Sequence, residues 1–282
     1  MTTQNRGVAE LGRSLFAAAV VGIGVFYLVN GDSSRMLQAM PQWIPLRSAW
    51  IGWIYGSGVV MLASGAGLFF TRTAIAAGRV LLVYLLLSLL LLKIPILVKA
   101  PLVMVSWETF AESACLLSAA WMIFASPARP ESGTWPKFAA GASGVRLARV
   151  LFGLALFLFG LAHFGYLRYT ASLVPAWLPW HTGWVCLTGA GYMAAGLGTI
   201  FRIYPRLAAV MTAAMMSLFQ LLIWIPKVIA MPTVQDMWRE LLTGWALAFA
   251  AWVIADSYRG TAWLSVGKSS LAAADSGSET TA

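Results

Sequence analysis

Long apolar stretches are the feature that most limits how this chain can fold. Eight of them are each about 20 residues long, the length that crosses the hydrocarbon core of a bilayer as an α-helix. Lipid offers the backbone no hydrogen-bond partners, so the segments that cross it must be helices or the strands of a closed barrel. The sequence therefore predicts an all-α integral membrane protein with eight transmembrane helices. The predicted spans are Arg13–Val29, Ser48–Phe70, Ala74–Leu97, Ser106–Ala125, Val145–Phe164, Thr182–Phe201, Arg206–Ile229 and Met237–Ala255.

Composition excludes a water-soluble fold and argues against a nucleic-acid partner. Hydrophobic residues make up 60% of the chain and charged residues 10%, whereas soluble domains carry about 25% charged residues. Such a chain cannot cover a water-facing surface and must use the lipid bilayer as part of its solvent. The net charge of +9 does not indicate nucleic-acid binding, because the basic residues are scattered through loops beside apolar spans. That distribution encodes orientation in a membrane protein.

Landmarks of the sequence occur twice in the same order, which predicts an internal duplication. The two repeats would occupy residues 1–126 and 145–256, joined by a Pro- and Gly-containing linker at 127–144 and followed by a disordered tail at 257–282. Four spans per repeat is an even number, so the repeats are predicted to be parallel. The recurring landmarks are Pro41-Gln42-Trp43-Ile44-Pro45 with Pro175-Ala176-Trp177-Leu178-Pro179, Ile94-Pro95 with Ile225-Pro226, Pro101 with Pro232, Trp107 with Trp238, and Trp121 with Trp252.

The distribution of basic residues predicts the orientation of the chain. The side that holds the N-terminus would carry twelve Lys and Arg residues and the opposite side seven. Because cytoplasmic loops hold the excess of positive charge, both termini are predicted to be cytoplasmic. The first apolar stretch resembles a signal peptide, but Asn30-Gly31-Asp32 offers no cleavage site and the repeat needs this helix. We therefore expect it to be retained.

Polar residues within the spans converge near one end of the predicted bundle, and such residues indicate functional sites. A candidate ligand site combines residues of both repeats. The His, Lys and Glu side chains could each have a role other than ligand binding. His163 could instead be satisfied by a neighbouring helix, the lysines could extend their ammonium groups to the lipid headgroups, and Glu112 could complement a helix N-terminus. The candidates in the second repeat are His163, Gln220, Trp224 and Lys227, and those in the first are Tyr27, Lys93 and Glu112.

The Pro-x-Trp-x-Pro elements favour short interfacial loops, because two prolines flanking a tryptophan prevent a regular helix. Trp43 and Trp177 are candidate lids over the end of the bundle, and the alternative is an aromatic belt at the interface. No metal site is predicted, since the chain has two histidines and two cysteines and His181 falls in a loop. No Cys-x-x-Cys occurs, which argues against dithiol redox chemistry.

The second repeat resembles the DoxX family of bacterial membrane proteins. The motifs that carry the resemblance are Gly160-Leu161-Ala162-His163-Phe164, Val174-Pro175-Ala176-Trp177-Leu178-Pro179 and Ile225-Pro226-Lys227. It covers roughly Arg149–Ala255, and more weakly Arg13–Ala125. The resemblance implies a four-helix unit, present here as a tandem pair in the bacterial inner membrane, and relatives that include a subunit of a thiosulfate:quinone oxidoreductase. The chain departs from the family at two places. The first repeat has Tyr27 where the second has His163, and the sixth span has Ala190-Gly191-Tyr192-Met193 where members often carry an acidic residue.

These observations favour a redox accessory protein that binds a quinone or a similar isoprenoid near the periplasmic side. The protein would orient the headgroup and supply protons, while the redox chemistry would belong to the quinone. No covalently bound cofactor is expected, and a redox partner protein would carry the electrons. Two alternatives remain open. One is a non-catalytic scaffold or assembly subunit, and the other is a transporter of small solutes between the two bundles.

Overall fold

The computed structural model describes residues 3–31, 47–125 and 137–267, and within these residues the chain is helical. An isolated antiparallel bridge between Ile203 and Val266 is the β-structure that these residues contain. The predicted all-α class is therefore confirmed. The helices are α1 (Thr3–Asn30), α2 (Arg47–Phe69), α3 (Ala74–Lys99), α4 (Met104–Ala125), α5 (Gly141–Gly165), α6 (Leu167–Leu173), α7 (His181–Phe201), α8 (Pro205–Ala230) and α9 (Gln235–Asp256).

Six of these helices are long and apolar enough to cross a membrane, namely α1, α2, α3, α5, α7 and α8. Helices α4 and α9 have similar lengths, 22 residues each, but are not among the six. Glu108 and Glu112 lower the mean hydropathy of α4, and Arg239 and Glu240 do the same in α9. A membrane protein with several spans is thus supported by length and composition.

Each helix packs against the next in a closed order. Helices α1 to α5 contact each other in sequence, α5 packs on α7, α7 on α8, α8 on α9, and α9 returns to α1. Helices α4 and α9 also meet across the centre. Their buried faces are built largely from alanine, including Ala114 and Ala119 in α4 and Ala246 and Ala250 in α9. Such small side chains allow close approach of helix backbones.

Helices α3 and α8 each contain one widened π-helical turn, at Leu89–Lys93 and Gln220–Trp224. Each turn ends just before an Ile-Pro pair, formed by Pro95 in α3 and Pro226 in α8. Proline donates no backbone hydrogen bond, and its ring clashes with the carbonyl one turn earlier. The wider turn relieves that clash, and the amide of the isoleucine bonds five residues back. The recurring Ile-Pro motifs thus have the same structural consequence.

A second matched feature fixes the turns that follow these helices. The indole Nε1–H of Trp107 donates to the carbonyl of Pro101 at 2.8 Å, and that of Trp238 donates to the carbonyl of Pro232 at 2.8 Å. Each bond ties the start of α4 or α9 to the loop before it. The tryptophans and prolines that recur in the sequence therefore form the same local contact twice.

Glycines set the distance between α1 and α2 and between α5 and α7. A Cβ added at Gly65 would lie 2.9 Å from the amide nitrogen of Val21, and one at Gly196 would lie 2.9 Å from that of Phe157. These neighbours are backbone atoms that a side chain cannot push aside. The recurring glycines therefore allow direct contact between backbones, which is the packing role expected of small residues in lipid.

The region around 127–144 and the tail differ in part from the sequence prediction. Helix α5 begins at Gly141, and a 3₁₀ turn covers Lys137–Ala139, so the predicted linker is partly helical. Residues 257–267, predicted to be disordered, fold back against the bundle. Polar contacts hold them, since Arg149 donates to Ser257 and stacks on Tyr258, and the amide of Tyr204 donates to the carbonyl of Ser265 at 2.9 Å. Residues 126–136 and 268–282 lie outside the described part.

Candidate functional site

A cavity of about 1590 Å³ lies among α4, α5, α7, α8 and α9. It extends from the short helix α6, at the end where α4 and α9 begin, to the turn between α7 and α8 at the opposite end. Aliphatic and aromatic side chains form most of its wall, and polar groups cluster toward the α6 end. Its volume exceeds the range of about 300–1,000 Å³ typical of small-molecule pockets. The cavity can therefore hold a ligand with a long apolar part.

The cavity opens sideways between α7 and α8. Leu187 of α7 and Met211 and Leu218 of α8 line it, yet they are 63%, 61% and 51% exposed. Side chains that face both a cavity and the outside mark the edge of an opening. Because these residues are apolar, the opening suits an environment of lipid chains. A lipophilic molecule could thus enter from the bilayer without crossing water.

His163 lies near the end of α5 and forms part of the cavity wall. Its Nδ1 lies 2.8 Å from the carbonyl oxygen of Phe159, and since a carbonyl only accepts, Nδ1 carries the proton. The ring packs on Tyr192 and Phe219, with centroids 5.2 Å and 6.4 Å away. These contacts fix the ring plane and leave Nε2 as the nitrogen that can reach a ligand. Gly189 makes this possible, because an added Cβ there would lie 2.9 Å from the Cβ of His163.

Gln220 begins the π-helical turn of α8 and lines the same cavity, although it is only 4% exposed. Its amide packs directly on Gly244 of α9, where an added Cβ would lie 2.5 Å from Oε1. Oε1 has no hydrogen-bond partner in the structure, and neither has the hydroxyl of Thr212, two turns earlier on the same face. Buried polar atoms without partners are costly and rare. Both oxygens are shielded from the cavity itself, so a bound molecule can reach the Gln220 amide only on its Nε2 side.

Acidic residues of α4 and an ion pair of α9 form the polar rim of the cavity. Glu108 and Glu112 line it together with Arg239 and Glu240, which are joined at 2.6 Å. Glu112 lies within electrostatic range of the Lys93 and Arg239 charges, but no ion pair joins it to Lys93. At the mouth, burial and the Glu108 charge raise the pKa of the Tyr166 phenol, which therefore stays a hydroxyl.

Helix α6 and the loop after it line one end of the cavity. Tyr169 of α6 and Trp177 of the loop both line it, and Trp177 remains 70% exposed. This position suits the predicted lid, because the indole lies at the mouth without sealing it. The sequence did not indicate α6, whose seven residues are too short for a periodic pattern. Trp43, the other predicted lid, lies outside the described residues.

Four of the predicted ligand residues line this cavity, and three do not. His163, Gln220, Trp224 and Glu112 are in its wall, whereas Tyr27, Lys93 and Lys227 are not. Lys227 instead places its ammonium 5.5 Å from the ring centre of Trp224. Tyr27 and Lys93 belong to the other side of α4, where Trp53 and Tyr84 stack at 6.2 Å.

The sequence prediction left out Tyr192, Phe219, Thr212 and Gly244, all of which the structure places in the cavity wall. Tyr192 is the most informative, because its ring packs on that of His163. Thr212 and Gln220 share one helix face, which their spacing along α8 could have indicated. Gly244 could not have been found, since its contact with Gln220 joins two separate helices.

Cysteine and metal chemistry do not contribute an evident centre within the described residues. Cys115 is buried and Cys186 is partly buried, and both are free thiols. Within the described ranges, no group of three or more His, Cys, Asp or Glu side chains is arranged to hold a metal ion.

Comparison with protein-family models, curated proteins and solved structures finds no match to this chain. The geometry of the cavity is therefore the basis for assigning a function.

Proposed function

We propose that this protein binds an isoprenoid quinone or a similar lipid in the cavity, as a redox accessory component of the bacterial inner membrane. Eight helices would span the bilayer as two parallel DoxX-like repeats, with both termini cytoplasmic and the headgroup end of the cavity toward the periplasm. The bound quinone would exchange electrons with a partner protein. The chain would supply the binding site, the orientation of the ring and polar groups near its oxygens.

Matched local features support the duplication and the eight spans. The π-helical turn and the Trp–Pro hydrogen bond each occur once in α1–α4 and once in α5–α9, within the described residues, and close glycine contacts join α1 to α2 and α5 to α7. Helices α4 and α9 occupy matching central positions and contact each other. Since helices α1, α2, α3, α5, α7 and α8 suit a membrane, central helices of similar length would cross it with them.

The observation that carries the functional proposal is a small polar cluster in an apolar, laterally open cavity. His163 and Gln220 lie where the wall is otherwise formed by Phe159, Tyr192 and Phe219. An isoprenoid quinone has the complementary shape, with a polar ring at one end of a long apolar tail. The aromatic side chains would stack on the ring, and the opening between α7 and α8 would let the tail run into the bilayer.

Mass spectrometry of lipids extracted from the purified protein tests this proposal. Wild-type protein in a mild detergent should carry quinone near one molecule per chain, and His163→Ala should retain about tenfold less, since it loses the contacts of the imidazole with the quinone ring. His181→Ala is the matched control, because His181 does not line the cavity. Phospholipid alone in all three preparations would contradict the proposal, and retention of a subunit partner would then favour a scaffold.

A further inference from the structure

We infer that the cavity binds the reduced, hydroquinone form of its ligand more tightly than the oxidised, quinone form. This inference rests on the proposed function and adds the redox state that the site selects. The two forms share the same ring and the same tail, so their apolar contacts with the wall are nearly equal. Selection between them must therefore come from hydrogen bonding, and the donors and acceptors of the site decide its direction.

His163 offers an acceptor to the ligand. Its Nδ1–H is committed to the carbonyl oxygen of Phe159, at 2.8 Å. In a neutral imidazole with a proton on Nδ1, Nε2 holds a lone pair and cannot donate. The ring cannot turn to exchange the two nitrogens without losing this bond and its packing on Tyr192. A ligand at His163 is thus bound best when it brings a hydrogen-bond donor.

Glu112 offers a second acceptor in the same wall, because its carboxyl group has an oxygen that accepts a hydrogen bond. Gln220 does not add another acceptor, since its Oε1 is buried and its amide packs on Gly244. The acceptors available to the ligand are therefore Nε2 of His163 and the carboxyl oxygen of Glu112. A group that only donates, such as the Gln220 amide N–H, can bond to the oxygens of both redox forms and does not select between them.

The two forms of the ligand differ in what they can give to these acceptors. The oxygens of a quinone are carbonyls, which only accept, and placing one against Nε2 of His163 would oppose two lone pairs. The oxygens of a hydroquinone are hydroxyls, each of which donates one hydrogen. One additional hydrogen bond to a buried group changes binding by about tenfold, which is the preference that we expect.

Anaerobic binding measurements with short-tailed ligands in detergent test this inference. The probes are decylubiquinone, decylubiquinol and the dimethyl ether of the quinol, followed by quenching of tryptophan fluorescence. The quinol should bind about tenfold more tightly than the quinone. The dimethyl ether should bind no better than the quinone, because it keeps the ring but has no donor. In His163→Phe, the preference for the quinol should fall severalfold, while His181→Phe should keep it.

The outcomes separate this inference from the proposed function. Equal or tighter binding of the quinone by wild-type protein would overturn the inference and leave quinone binding in place. Absence of binding by either redox form would overturn both. If His163→Phe does not yield folded protein, Glu112→Leu removes the other acceptor of the wall at similar volume and should also lower the preference. The comparison with the dimethyl ether needs no variant. It shows in the wild-type protein whether the hydroxyl hydrogens of the quinol cause the preference.

Discussion

His163 shows how a single residue can be prominent in the sequence and still need the structure to define its role. One of two histidines in the chain, it falls within an apolar span, where polar residues indicate function. The sequence could not show which ring nitrogen is free, because the bond to Phe159 and the packing on Tyr192 depend on helix geometry. The position predicted to match it in the first half of the chain is Tyr27, so the proposed repeats differ at this residue.

At the same scale, Gly244→Ala should disable Gln220 without changing that residue. The added methyl group would occupy the place of the amide, which would have to move into the cavity. Since this amide is the flexible end of a side chain, the fold should tolerate the change. We expect about tenfold less retained quinone, matching Gln220→Leu, with the variant eluting as wild type in size-exclusion chromatography. Unchanged retention in both variants would show that Gln220 does not contact the ligand.

At the scale of the elements, apolar length predicted the helices well and local irregularities poorly. Ser48–Phe70 was predicted and Arg47–Phe69 is observed, and the predicted start of α3 at Ala74 is the observed one. The π-helical turns were not predicted, although each comes before an Ile-Pro pair that explains it. Helix α6 was missed because Leu167–Leu173 is too short for a periodic signal. Helix α6 and the π-helical turn of α8 both line the cavity, so its shape could not be predicted.

Two glycines of α7 offer a matched test of helix packing. Gly196→Ala should destabilise the protein by about 1–3 kcal/mol, because its Cβ would lie 2.5 Å from the backbone oxygen of Gly153. Gly191→Ala should be neutral or stabilising by up to about 1 kcal/mol, since its Cβ would meet no atom within 4 Å. Thermal unfolding in detergent measures both. Equal loss of stability in the two variants would contradict direct backbone contact between α5 and α7.

At the scale of the whole molecule, the closed packing order gives each end of the bundle a defined set of loops. Leu102 and Trp177, 98% and 70% exposed, lie at the end where α4 and α9 begin, and Phe70 and Trp263 lie at the other. The charge distribution predicted this arrangement only as an orientation in the membrane. The sequence could not predict on which side of α4 the cavity lies. That depends on contacts between separate helices, such as the stacking of Trp53 on Tyr84 on the other side of α4.

Cysteine labelling in intact cells tests the parallel arrangement. In a background with Cys115→Ala and Cys186→Ala, Leu102→Cys and Trp177→Cys should react with a membrane-impermeant maleimide in intact cells. Phe70→Cys and Trp263→Cys should react only after the inner membrane is opened, because their end is predicted to face the cytoplasm. Labelling of Leu102→Cys and Trp177→Cys from opposite sides would contradict two parallel repeats.

Photolabelling with an azido-quinone tests most directly whether the cavity holds a quinone. After illumination of the protein in lipid nanodiscs, peptide mass spectrometry should place the label on cavity residues of α7 and α8, near Trp184, Met211 and Met215. Excess unlabelled quinol should suppress it severalfold. Label spread over exposed apolar residues of α3, such as Leu86 and Leu90, and not reduced by the competitor would contradict a specific quinone site.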